Sequence, residues 1–224
     1  MRYKLITFDV FSALCDIQGT FIPLLKKLKP FKDVDVKTFF QAWRSKQYEY
    51  LIIHNSLERE FMSFEDITRK TLENTLQLYN IELAKNDRER LIENWSQLKF
   101  WSEAEQVVQE VKHRGYLVGM LSNGDIQMLL KLQTHCKVKF DFILSAEEAG
   151  SYKPSPKIYQ FAYSKAGVKK EEILHVAGSP IDILGAISAG IPSAWSNRNN
   201  LPPIDSSYQP TFKFGDLTDL LKHT

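Results

Sequence analysis

The sequence predicts an α/β protein built on a doubly wound parallel sheet core with an inserted helical cap subdomain. Three observations carry this. From Tyr116 onward, short β-like runs alternate with amphipathic stretches of helix length, the pattern of a parallel sheet covered by helices on both faces. The apolar run Leu5-Ile6-Thr7-Phe8 ends in Asp9, a carboxylate at the carboxyl end of a first strand, where open α/β sheets place their reactive groups. Between the two, residues 16–98 show helical spacing of apolar residues and no convincing strand. The expected division is a Rossmann-like catalytic core of residues 1–15 and 99–224, and a helical cap subdomain of residues 16–98.

Each element has its own signal. In the cap, helical periodicity covers residues 36–57, 64–79 and 87–98, with Ser63 before Glu65-Asp66 and the pair Asn86-Asp87 as helix starts. A helical block inserted after strand one can close over the carboxyl ends of the strands and exclude water. A helix over 103–114 then leads to strand two at 116–121 and the turn Ser122-Asn123-Gly124-Asp125. A helix over 126–136, a strand at 140–145 and a helix over 156–166 follow. The strand at 173–177 runs into Gly178-Ser179-Pro180, then a helix over 182–189 and a weaker strand at 191–195. The Asn- and Pro-containing stretch from Asn197 to Gln209 reads as an irregular loop.

Length and composition set bounds on function. A chain of 224 residues can bury one sizeable core, or one core with an insertion. Its 43% hydrophobic and 25% charged content is that of a soluble globular protein. The net charge of +2, with both signs dispersed, gives no electrostatic footprint for nucleic acid, and Lys26-Lys27 and Lys169-Lys170 read as solvated helix faces. The first apolar run is too short and too quickly polar for a signal peptide or membrane span. Cys15 and Cys136 are far apart and form no CxxC, so neither a disulfide framework nor a zinc site is expected, and Cys15 reads as an apolar core residue. His54, His113, His135, His175 and His223 form no ligand-spaced pair and read as surface or core residues. The expected compartment is cytoplasmic, with no nucleic-acid or membrane partner.

Four strand ends should bring polar groups to one rim of the sheet. They are Asp9, then Ser122 with Asn123, then Lys153 in Gly150-Ser151-Tyr152-Lys153-Pro154, then Ser179 with Asp182. A carboxylate in the first of these places can attack carbon or phosphorus and form a covalent ester. Two residues on, where a phosphate-transferring enzyme of this plan would carry a second Asp for proton transfer, stands Phe11.

These residues resemble the haloacid dehalogenase superfamily, and more narrowly its (S)-2-haloacid dehalogenase, or type II, branch. The branch opens on Asp, a hydrophobic residue, an aromatic residue, Gly, Thr, Leu, any residue and Asp; here the run is Asp9-Val10-Phe11-Ser12-Ala13-Leu14-Cys15-Asp16. The cap carries Ala42-Trp43-Arg44-Ser45-Lys46-Gln47-Tyr48-Glu49-Tyr50, similar to a signature of the branch that phosphatases of the superfamily lack. Leu121-Ser122-Asn123-Gly124, the segment from Tyr152 to Tyr159, Asp182-Ile183-Leu184-Gly185-Ala186 and the segment from Pro192 to Arg198 extend the match from Leu5 to about Arg198.

The resemblance implies a metal-independent hydrolase of short 2-haloalkanoic acids, with no cofactor and association as a homodimer through the cap. Asp9 would attack the carbon bearing the halogen, and Lys153 would hold Asp9 ionised. Arg44 and Asn123 would solvate the departing halide, and Asp182 would position or deprotonate the water that hydrolyses the ester. Ser122, with Lys153, would bind the substrate carboxylate; Tyr159 and Ser179 would hydrogen-bond the network, and Phe11, Tyr48 and Phe64 would wall the substrate. The chain departs from the branch at Ala13, where a Thr hydroxyl is usual, and at Ala177 and Ser179, where Ser and Asn are usual; Ile181 replaces an aromatic residue. Ser12 supplies a hydroxyl one residue early, and in a tight turn it is expected to point away from Asp9. Two other readings remain. A magnesium-dependent phosphatase of the same superfamily would want Asp at Phe11 and a second acid near Asp182. A catalytically impaired binding protein is motivated by Ala13 and Ala177.

Overall fold

In the computed structural model, which describes residues 2–57 and 59–224, strand β1 (Leu5–Phe8) lies inside a six-stranded, all-parallel sheet. Strands β2 (Leu117–Ser122) and β3 (Phe142–Ser145) extend it on one side, and β4 (Ile173–Ala177), β5 (Ser193–Ser196) and β6 (Phe212–Phe214) on the other. All four residues of β1 and all five of β4 are buried, as expected of strands covered on both faces. The chain builds outward from β1 to β3, then returns to the opposite side of β1 with β4. The loops after β1 and β4 therefore diverge at the switch point where doubly wound sheets place their sites.

Nine α-helices complete the architecture of the described residues: α1 (Ile17–Lys26), α2 (Val36–Ser56), α3 (Phe64–Leu78), α4 (Lys85–Glu93), α5 (Ala104–His113), α6 (Ile126–His135), α7 (Ala146–Ala149), α8 (Pro156–Ala166) and α9 (Pro180–Ser188). Helices α2–α4 form the helical insert. Asp35 starts α2 by accepting the Lys37 and Thr38 amides at 3.0 and 3.3 Å, and Ser63 starts α3 by accepting the Asp66 amide at 3.0 Å. From Val36 the buried face of α2 runs through Phe39, Phe40, Trp43, Gln47 and Leu51, a stripe at helical spacing that packs on α3. Where the insert leaves and rejoins the core, the two connections run side by side. Cys15 bridges Phe100, Asp16 N–H donates to Lys99 O at 2.8 Å, and Trp101 N–H to Leu14 O at 2.9 Å.

The structure departs from the sequence expectations at several element boundaries and in one added strand. Helix α4 starts after Ala84, ahead of Asn86-Asp87, and stops at Glu93; a single 3₁₀ turn, Asn94–Ser96, then carries Trp95 inward. Strand β5 begins at Ser193, because Gly190 at φ 77° turns the chain and Pro192 has no N–H to give the ladder. Strand β3 begins only at Phe142. The three-residue β6 carries too little pattern to be read in advance; it pairs with β5 through Ala194–Phe212, Trp195–Lys213 and Ser196–Phe214.

Candidate active site

Asp9 leaves β1 with its N–H donated to Val176 O at 2.8 Å, and its side chain caps a π-helical turn, Val10–Leu14. Its two oxygens have different partners. Oδ1 accepts from Lys153 Nζ at 3.0 Å, while Oδ2 accepts from Ser12 N at 2.6 Å and Ser12 Oγ at 2.5 Å. The expectation that Ser12 points elsewhere is thereby corrected. In this turn the residue three places after the cap faces the capping carboxylate with its amide, and a side chain as short as serine's follows the amide to the same oxygen. The Ser12 hydroxyl also accepts the N–H groups of Gly178 and Ser179 at 2.9 and 3.0 Å, which ties the loop after β1 to the loop after β4.

Lys153 is the centre of the site. It is 4% exposed, and its ammonium bridges Asp9 Oδ1 and Asp182 Oδ2 (2.7 Å) while donating to Leu121 O at 2.5 Å. Its backbone N–H donates to Asn123 Oδ1 at 2.7 Å, so the turn after β2 fixes the Lys153 loop. Asp182, in the first turn of α9, has both oxygens engaged. Oδ2 meets Lys153, and Oδ1 accepts from Tyr159 OH at 2.6 Å and lies 3.1 Å from His175 Nε2. Burial alone would raise the Asp182 carboxyl, but Lys153 and His175 outweigh it and hold the group well below the usual carboxylate range. Burial likewise works against the charge on Lys153, yet Asp182 and Asp9 prevail and raise it above the ordinary lysine value.

The sequence alone marks His175 as a surface or core residue with no part in the site. It is fully buried, and its ring joins the network: Nδ1 lies 2.9 Å from Thr7 Oγ1, and Nε2 faces Asp182. Sheet register explains the contact. Thr7 pairs with His175 across β1 and β4, and the period of two puts Thr7 and Asp9 on one face of β1. The available signal was the alternation Leu5, Thr7, Asp9 along strand one. Its pairing with a residue of β4 was not readable.

Arg44 descends from α2. Its guanidinium carbon lies 4.8 Å from the ring centroids of both Tyr48 and Trp95, and Nη1 donates to Gln47 Oε1 at 2.5 Å. Gln47 is itself held by Thr68 Oγ1 at 2.8 Å. Among the described residues no carboxylate lies within ion-pair distance of Arg44. Trp95, unremarked in the sequence, also packs on Phe11 and Phe64 at centroid distances of 5.3 and 5.4 Å, so one indole joins the cation to the aromatic wall.

One cleft collects Asp9, Phe11, Arg44, Tyr48, Leu51, Phe64, Asn123, Lys153, Ser179, Ile181 and Asp182. Of these, Leu51 was not anticipated. Two anticipated residues lie behind the wall: Ser122 is fully buried with Oγ accepting the Gly124 N–H at 3.1 Å, and Tyr159 backs Asp182. The cleft has only about 20 Å³ of open volume, roughly a single water. A larger chamber of about 400 Å³ shares Phe11, Arg44, Tyr48, Ser179 and Ile181 and extends toward Trp101 and Arg198. Chemically, the cleft brings together an oriented, buried carboxylate, a cation from the helical insert and a second, ionised acid.

Geometry of this kind defines a hydrolase site on a doubly wound sheet, and a family model described as haloacid dehalogenase-like hydrolase matches residues 3–190. The chain belongs to the haloacid dehalogenase-like hydrolases, and within them to the L-2-haloacid dehalogenase branch. It is 29% identical over 198 residues to (S)-2-haloacid dehalogenase 4A of Burkholderia cepacia, covering 88% of this chain and 84% of that one. Haloacetate dehalogenase H-2 of Moraxella sp. (strain B) is 28% identical over 88% of this chain and 87% of its own length. A crystal structure of an L-2-haloacid dehalogenase superposes with a TM-score of 0.93 at 25% identity, covering 100% of this chain and 99% of the other.

Proposed function

We propose that this hydrolase is a metal-independent dehalogenase of short 2-haloalkanoic acids working through an ester on Asp9. The observation that carries the reading is Arg44, stacked on Tyr48 and Trp95 and lining the same cleft as Asp9. A cation that shares the cleft with the attacking carboxylate can receive the halide of an in-line displacement, and the charge growing on that halide in the transition state is stabilised by it. Asn123, whose Oδ1 is taken by the Lys153 amide, leaves its Nδ2 group to donate toward the same charge. Phe11, Phe64 and Leu51 supply the apolar wall for a short alkyl group. Asp182 stays ionised beside Lys153 and orients the water that opens the ester. The names of the relatives, dehalogenases of 2-haloacids and haloacetate, agree with this substrate class.

The division into a cap of residues 16–98 and a core of 1–15 and 99–224 belongs to the same reading, supported by the pairing of Cys15 with Phe100 at the base of the insert. A magnesium site fits the donor set poorly. Phe11 offers no oxygen, and the oxygens of Asp9 and Asp182 are engaged by Lys153, Ser12, Tyr159 and His175. The test is halide release from each enantiomer of 2-chloropropionate and from chloroacetate with chelator present. The expected result is turnover of the (S) enantiomer and of chloroacetate, abolished by Asp9→Asn. In a single turnover in oxygen-18 water, label should enter Asp9 before the product. Metal-dependent hydrolysis of p-nitrophenyl phosphate without halide release would reverse the assignment.

A further inference from the structure

We propose that Ser12 is a catalytic residue whose backbone N–H and hydroxyl form the oxyanion site for hydrolysis of the Asp9 ester, a role that rests on the aspartyl-ester reading above. The two oxygens of Asp9 are not equivalent. Oδ1 faces one donor, Lys153 Nζ at 3.0 Å, whereas Oδ2 is held by both Ser12 donors, at 2.6 and 2.5 Å. The less encumbered Oδ1 attacks the carbon, the carbon–halogen bond breaks, and the halide leaves with the bonding pair. Oδ1 is then the ester oxygen and Oδ2 the carbonyl oxygen. Water adds to the Asp9 carboxyl carbon and gives its proton to Asp182, while the carbonyl π pair moves onto Oδ2. Negative charge therefore arises on the atom that Ser12 already holds, with no reorganisation needed. Collapse returns the pair and expels the hydroxy acid's oxygen with the proton from Asp182; Asp9, left as the neutral acid, then gives the second water proton to solvent and is a carboxylate again.

The hydroxyl is fixed for this task. Oγ accepts the Gly178 and Ser179 amides at 2.9 and 3.0 Å, which leaves its single proton for Asp9 and polarises it toward that oxygen. The approach of the two loops depends on Gly178, where a Cβ would lie 2.3 Å from the Ser12 carbonyl oxygen. Capping alone needs only the amide. A second donor on the same oxygen, backed by two amides from another loop, is built for charge that appears during the reaction.

Rapid-quench single turnovers with (S)-2-chloropropionate, read by halide release and by intact-protein mass, separate the two steps. Ser12→Ala should release halide close to the wild-type rate yet hydrolyse the ester about 10²–10³-fold more slowly, so that the adduct accumulates. Ser12→Thr, which keeps a hydroxyl, should recover hydrolysis. If Ser12→Ala loses thermal stability, Ser12→Cys keeps the volume with a weak donor and carries the same comparison. Ester hydrolysis at the wild-type rate in Ser12→Ala, or equal slowing of both steps, overturns the oxyanion role and leaves the functional reading standing. A wild-type protein that releases no halide from any 2-haloacid overturns the reading and the role of Ser12 together.

Discussion

At the residue scale, the site is a charge-balance problem in a dry place. Two carboxylates and one ammonium share a space where each is under a tenth exposed, and none could stay charged alone. Removing Lys153 would leave two buried acids uncompensated. Lys153→Met should cost about 3–5 kcal/mol of unfolding free energy, measured by urea denaturation near neutral pH. Adding Asp182→Asn should return part of that loss, and a fully additive double mutant would sink the account. The position of the Tyr159 hydroxyl on Asp182 has its own requirement. A Cβ on Gly185 would lie 2.6 Å from that hydroxyl, so only glycine lets α9 come close enough to α8 for the bond.

At the element scale, the insert is tied to the core by helix ends and polar groups near the site. Asp125, at the start of α6, reaches across to the first turn of α3, where Oδ1 accepts Phe64 N–H at 2.7 Å and Oδ2 accepts Glu65 N–H at 2.9 Å. Burial pushes the Asp125 carboxyl up, against the pull of those amides. On the other side, Asn55 of α2 donates to Tyr152 O at 2.7 Å and accepts Tyr152 N–H at 3.0 Å, one residue from Lys153. Asp125→Ala should therefore cost about 1–2 kcal/mol, since two amides at a helix start lose their carboxylate. Urea denaturation gives the stability. Amide hydrogen exchange in the first turn of α3 should quicken while β1 stays protected, and unchanged exchange at Phe64 and Glu65 would count against the latch.

At the scale of the whole molecule, the ion cluster sets how stability depends on pH. The Asp182 carboxyl is depressed in the folded state, so its contribution is complete above the unfolded carboxylate range, about pH 4, and is lost as pH falls from there toward the folded value. The raised Lys153 works in the other direction. Its contribution is complete below the ordinary lysine value of about 10 and is lost as pH rises beyond it. The stability gap between wild type and Asp182→Asn should thus be flat from about pH 5 to 9 and shrink below about pH 4. A gap that widens on acidification would mean the cluster strains the fold instead of stabilising it.

What could be read from the sequence was what is local. Period-two and period-3.6 patterns gave the parallel core and its helical insert, because one segment's burial follows from its own spacing. Asp9, Asn123, Lys153 and Asp182 could be named because strand ends on one rim of a parallel sheet must meet, and Arg44 because of the motif around it. The tertiary structure decided what depends on register and close approach. Thr7 and His175 are 168 positions apart, and Ser12 and Gly178 are 166 apart, so no local pattern joins them. Trp95 entered the site only because α4 ends early, and β6 exists only because β5 offers it an edge. The gathering of Asp9, Asn123, Lys153 and Asp182 on one rim was written in the chain. The second donor on Asp9 was not, because a hydroxyl finds its acceptor only after two loops have been packed within van der Waals contact at Gly178.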